Sequence, residues 1–154
     1  MRRYRPGICI FVAVQLVAVF AAGAASEPGF SGDWVEASPQ QGPPLSLRLT
    51  QDGSQLKVQM SFTGAFSGIF HVATIGNDGI ATLVTPQGCS EQFRHAGYNY
   101  DHPGENILTF RLSQAPGSEE PILLYTNDTK WNVPCAQHSI GTEHESRQLG
   151  RHTQ

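Results

Sequence analysis

The chain has 154 residues, the size of one ordinary domain. Apolar residues make up 39% and charged ones 15%, with 16 Gly and 10 Pro along the chain. That is too apolar for a disordered polymer and too rich in breakers for a helical bundle. The formal charge is −3, and losing Arg2, Arg3 and Arg5 with a leader lowers the ten basic residues to seven against thirteen acidic ones, so no nucleic-acid partner is expected.

Residues 1–25 read as a cleaved signal peptide. Arg2, Arg3 and Arg5 precede an apolar run over residues 8–20, and Ala22-Gly23-Ala24 satisfies the small-x-small rule for cleavage after Ala24 or Ala25. The run is short of the ~20 apolar residues of a membrane span and Gln15 interrupts it, so no span is expected in the mature chain. No Cys stands at the cleavage point for lipid attachment, since Cys9 lies at the front of the run. The mature chain, 26–154, is then one β domain, secreted or periplasmic. Export leaves two cysteines, Cys89 and Cys135, 46 positions apart, in a compartment where disulfides persist. We expect them to be bridged, the alternative being two free or metal-bound thiols.

From Leu45 onward the chain has period two. Leu45, Leu47 and Leu49 alternate with polar residues, and after the turn signal Asp52-Gly53-Ser54 so do Leu56, Val58, Met60 and Phe62. This is a hairpin with one buried and one wet face. Further strands are expected over 66–75, 80–85 (after Gly76-Asn77-Asp78-Gly79), 107–112 and 122–126, and more weakly over 91–95 and 140–149. A short helix could sit only over 143–149. Strands every ~10–12 residues predict an antiparallel barrel of six to eight strands, with a sandwich as the alternative. Arg48, Lys57 and Gln59 on the outward faces argue against a membrane barrel. Phe30-Ser31-Gly32 recurs as Phe66-Ser67-Gly68, which we read as shared strand grammar rather than duplication.

Phe30-Ser31-Gly32-Asp33-Trp34, followed by the Leu-x-Leu-x-Leu-Thr-Gln-Asp-Gly hairpin of residues 45–53, resembles the start of lipocalin-like (calycin) barrels. The resemblance covers about 30 mature residues and, loosely, the end of the chain. It implies that Gly32 and Trp34 close the barrel base under a basic residue of the last strand, Arg147 or Arg151, of which we take Arg147. The loop signatures of true lipocalins are missing, and fold likeness says little about function.

No nucleophile elbow, phosphate loop, Cys-x-x-Cys or His-Glu-x-x-His motif occurs. The reading is accordingly non-enzymatic and without a cofactor. His138, Glu143, His144 and Glu145 form the densest polar cluster. On a strand His144 faces away from its neighbours, and His138 and His144 could share an ion only if the chain bends at Gly141, so a solvated segment is preferred over a metal site. Residues 98–106 place Tyr98, Asn99, Tyr100 and His102 before a Pro103-Gly104 turn, two aromatic rings with hydrogen-bonding tips that suit recognition. Trp131 either packs on the disulfide or, if exposed, anchors a ligand. Asn127-Asp128-Thr129 is a glycosylation acceptor where the source cell uses one.

These signs point to an exported binding protein that takes a small apolar or mixed ligand in the barrel mouth, with Tyr98, Asn99, Tyr100 and His102 at the rim. An alternative is a protein-binding inhibitor or accessory factor that uses residues 98–106 against an extracytoplasmic protein. A hydrolase built on Asp101 and His102 comes third.

Overall fold

A computed structural model describes residues 29–39 and 42–152; the expected leader, residues 1–25, lies outside the described residues. Eight antiparallel strands follow one another around a closed barrel: β1 Gly32–Val35, β2 Ser46–Asp52, β3 Gln55–Ser61, β4 His71–Ile75, β5 Ile80–Gln87, β6 Gly104–Gln114, β7 Pro121–Trp131 and β8 Gly141–Arg151. Closure by β1 on β8 decides for the barrel over the sandwich.

The alternation of residues 45–60 performs as a two-faced hairpin must. Leu47, Leu49, Leu56 and Val58 are buried, Arg48, Thr50 and Lys57 are exposed, and Gly53 turns the chain at φ +58°. These side chains meet Trp34, Phe30, Ala73, Ala81, Phe110, Leu123 and Leu149 in one apolar core at the end of the barrel where β1 closes on β8. Trp34 is fully buried, and its indole N–H donates to the Phe30 carbonyl at 2.8 Å. The cation over its ring is Arg151, 4.9 Å from the centroid, rather than Arg147. Both arginines lie on one face of β8, but the closing register pairs Trp34 with Arg151 and leaves Arg147 four residues up the barrel. Gly32, at φ +139°, opens the strand in a conformation that side chains resist, with Arg151 against it.

Several local expectations change. Residues 91–93 form a turn of 3-10 helix, because Arg94 then bridges to Cys135 rather than extending a strand. The strand expected from residue 66 starts only at His71: residues 62–70 form a loop, with Gln59 donating to the Ser67 carbonyl at 2.7 Å. Phe66-Ser67-Gly68 is thus loop where Phe30-Ser31-Gly32 enters a strand. The C-terminal segment that could have been helical is the middle of β8. Gly104 is the first residue of β6 and not a turn glycine. A Cβ there would lie 2.5 Å from the Lys130 carbonyl oxygen, so glycine is required by the close approach of β7.

Candidate functional site in the polar half of the barrel

The inward faces of β5–β8 change character along the barrel axis. The register sets Leu112, Leu123 and Leu149 in one row near the closed base. One step up come Ala81, Phe110, Tyr125 and Arg147, then Leu83, Leu108, Asn127 and Glu145. The next row is wholly polar: Thr85, Asn106, Thr129 and Glu143. Period two thus continues to the ends of the long strands while the apolar signal fades.

Amides and hydroxyls in the upper rows are linked. Asn106 Nδ2 donates to Gln87 Oε1 at 2.6 Å, and Thr129 Oγ1 donates to Asn106 Oδ1 at 2.8 Å. On β7 two inward polar atoms are buried without a partner among the described residues, the acceptor Asn127 Oδ1 and the donor Trp131 Nε1. Buried polar atoms are rarely left unpaired, and such orphans mark places where a water or ligand completes the hydrogen bonding.

The mouth opens sideways because β1 is only four residues long. It pairs with β8 at Trp34–Arg151 and Val35–Gly150, leaving residues 141–149 of β8 without a partner on that side. One ion pair bridges the gap: Arg147 Nη1 donates to Glu36 Oε2 at 2.7 Å, and its Nε to Glu145 Oε1 at 2.6 Å. Glu36 Oε2 also accepts the Leu45 N–H at 3.2 Å. Burial opposes the charge on Arg147, but the bonds to Glu145 and Glu36 outweigh it and hold its pKa above the usual guanidinium value. Beside it, burial of Tyr125, reinforced by the Glu145 charge, pushes the phenol up to about 12. Phe62 faces Arg147, its ring 5.7 Å from the guanidinium carbon. Glu36, Ala37 and Ser38 on one side and β7–β8 on the other enclose a groove of about 1000 Å³.

At the far end of the same strands, Cys89 and Cys135 are joined, with Cα atoms 5.9 Å apart. Trp131 packs on the bridge together with Tyr100, the first of the two roles open to this Trp. His138 stacks on Trp131 at 4.9 Å and hydrogen-bonds Glu143 Oε1 at 2.6 Å, whereas His144 bonds Asp128 on the outer face. The two histidines therefore serve different carboxylates. Among the described residues no group of three or more His, Cys, Asp or Glu gathers as for a metal ion.

Tyr98, Asn99, Tyr100 and His102 lie beside this disulfide layer, and none of them lines the groove. The Tyr100 hydroxyl accepts the His95 N–H at 2.6 Å and donates to the Pro134 carbonyl at 2.8 Å, so it pins two loops together. Asn99 Oδ1 accepts the Asp101 N–H at 3.0 Å within its own turn, and the His102 carbonyl accepts from Asn132 Nδ2 at 3.2 Å. Tyr98 is half-exposed, with its ring available. Asn127 lies partly buried on the inward face of β7 and lines the groove.

Compared with known protein families, curated proteins and solved structures, the chain matches none. The eight-stranded closed meander is compatible with a lipocalin-like barrel, and the likeness extends to architecture alone. The sequence singles out Asn127 and Thr129 only as a glycosylation acceptor, Asn106 only as the end of the 98–106 loop and Phe62 only in the hairpin alternation, and Glu36 not at all. Their signal was present for β6 and β7: Asn106 has the parity of Leu108 and Phe110, and Asn127 and Thr129 that of Leu123 and Tyr125. Nothing local marks Glu36, which is defined by a partner 111 residues away.

Proposed function

We propose that the chain is an exported, non-enzymatic binding protein that holds a small ligand of mixed character in the groove between Glu36–Ser38 and β7–β8. The supporting observation is the graded interior: the apolar base is filled by fully buried Trp34, Leu47 and Phe110, whereas the upper rows present polar groups to an open groove. A wholly apolar ligand finds no room at the base, so the mixed ligand is the better fit. Its polar part meets the Asn127 and Thr129 side chains, and its apolar part lies along Tyr125. Arg147, with Nη2 unengaged among the described residues, offers a further donor. The Cys89–Cys135 bridge fits the oxidising compartment that export implies.

Native mass spectrometry of mature protein purified from its own source tests this reading. A small-molecule adduct that disappears in Asn127→Leu/Thr129→Val, with the melting temperature unchanged, supports it. A bare chain that also takes up no member of a panel of small amphiphiles and polyols refutes it. A second reading, capture of an extracytoplasmic protein by residues 98–106, has one observation in its favour: Tyr98 is presented half-exposed on a loop that Tyr100 holds rigid. Tyr98→Ala then abolishes partner capture without moving the melting temperature.

A further inference from the structure

The loop joining β3 to β4, residues 62–70, reads Phe-Thr-Gly-Ala-Phe-Ser-Gly-Ile-Phe and carries no charge. Its large side chains are turned outward: Ile69 is 69% exposed, Phe70 53% and Phe62 47%. Soluble surfaces scatter such residues singly, and a cluster of this kind marks an interaction site. The patch continues onto the outer wall. Lys57 pairs with Val72 across β3–β4, and Val84 pairs with Ile107 across β5–β6. The β4–β5 ladder ends at Thr74–Thr82, and the next outward positions along it are Val72 and Val84, both exposed.

Charge is arranged to match. Each of the loop's three phenylalanines has a cation over its ring: Arg147 at 5.7 Å from Phe62, Arg48 at 4.5 Å from Phe66 and Lys57 at 5.7 Å from Phe70. Between Asp52 and Asp78 the chain has no acidic residue, although it is acidic as a whole. Arg48 is bonded to Asp33, and Arg147 to Glu36 and Glu145, so of the three cations Lys57 alone has no ion-pair partner among the described residues. Apolar tips beside a free ammonium, in a stretch of chain without a carboxylate, are complementary to one surface above others. In an anionic bilayer, phosphates lie at the level of the Lys57 ammonium and acyl chains at the level of the tips.

We propose that residues 62–70 dock the barrel on an anionic phospholipid bilayer, with Ile69 and Phe70 entering the headgroup–acyl boundary and Lys57 meeting the phosphates. None of residues 62–70 lines the ligand groove, so the two sites are separate. The proposal does not depend on whether the groove binds anything.

Co-sedimentation with vesicles of equal parts phosphatidylglycerol and phosphatidylcholine, and with phosphatidylcholine alone, tests it. The mature protein is expected to bind the anionic vesicles at low ionic strength and to be partly released by salt. Ile69→Ser/Phe70→Ser is expected to lower the partition at least about tenfold, and Lys57→Gln about fivefold. All three positions are exposed, so melting temperatures should not move. In Ile69→Trp, lipids brominated on the acyl chain should quench the new fluorescence, whereas buried Trp34 and Trp131 stay unquenched. Failure to bind anionic vesicles overturns the proposal, as does equal binding by the double-serine variant. A dimer in lipid-free solution that the double-serine variant abolishes also overturns it, because the patch then belongs to a second copy of the chain.

Discussion

The ion pair between Glu36 and Arg147 closes the gap that the short β1 leaves beside β8, and a double-mutant cycle measures what that closure is worth. Glu36 is 8% exposed and Arg147 15%, and they meet at 2.7 Å. Unit charges at such a distance attract by about 4 kcal/mol at the effective dielectric near a protein surface. Desolvation of both groups offsets part of this, so the net coupling falls between the ~0.2–1 kcal/mol of exposed pairs and the ~3–5 kcal/mol lost on breaking a buried one. We expect about 2 kcal/mol. Glu145, the other partner of Arg147, is 43% exposed and compensates only in part.

Glu36→Gln keeps an acceptor for the Leu45 N–H but removes the charge, and Arg147→Met keeps the stem that fills the gap. Urea unfolding at neutral pH of wild type, both single variants and the double variant provides the cycle, with stability read from midpoints at constant m. Glu36→Gln should cost about 2–3 kcal/mol, as expected for a hydrogen bond to a charged group. The double variant should cost less than the two singles together by the coupling energy. A coupling below about 0.5 kcal/mol would refute the argument, since contacts of independent sites add to within that margin. β1 and β8 would then be held by the Trp34–Arg151 end alone.

Three further outcomes follow from the same structure. Gly104→Ala places a Cβ against the Lys130 carbonyl, and backbone cannot yield as a side chain does; a loss of about 1–3 kcal/mol is expected in thermal unfolding, whereas Gly88→Ala, with open space around it, should be close to neutral. Cys89→Ser/Cys135→Ser reopens a 46-residue separation and should lower stability by about 4 kcal/mol on the chain-entropy account, measured against the oxidised wild type in urea. Tyr125 holds its proton to about pH 12 in the folded state, while the unfolded phenol loses it near pH ~10. Its contribution is therefore full below pH ~10 and is lost as pH rises through the folded value, by about 3 kcal/mol; Tyr125→Phe should remove that decline, and an equal decline in both proteins would refute the assignment.

Much of the barrel was legible because burial on one face writes itself as alternation. The β2–β3 hairpin, the apolar middles of β5, β6 and β7 and the Cys89–Cys135 bridge all follow from residues whose surroundings are apolar or whose chemistry is unambiguous. The strand ends were not legible, for the same reason that the groove was not. β6 was expected only over 107–112 and β7 over 122–126, yet they run to Gly104–Gln114 and Pro121–Trp131. Asn106, Asn127 and Thr129 point inward into a polar interior, so the apolar–polar contrast vanishes where the candidate site begins. Tyr98, Asn99, Tyr100 and His102 have the chemistry of a recognition rim, but Tyr100 packs in the disulfide cluster and none of the four lines the groove.

The residue pattern alone requires an all-β chain with one wet and one dry face per strand, since period two leaves no other way to bury these leucines. The resemblance to lipocalin-like barrels implies a basic residue over Trp34, taken as Arg147, whereas in the structure it is Arg151. Closure decided that, and closure is a property of register: β1 meets β8 over Trp34–Arg151 and Val35–Gly150 and then parts from it. That parting creates the groove and brings Glu36 to Arg147 across 111 residues of chain. No local pattern encodes such a contact, because its energy exists only once the first strand has found the last.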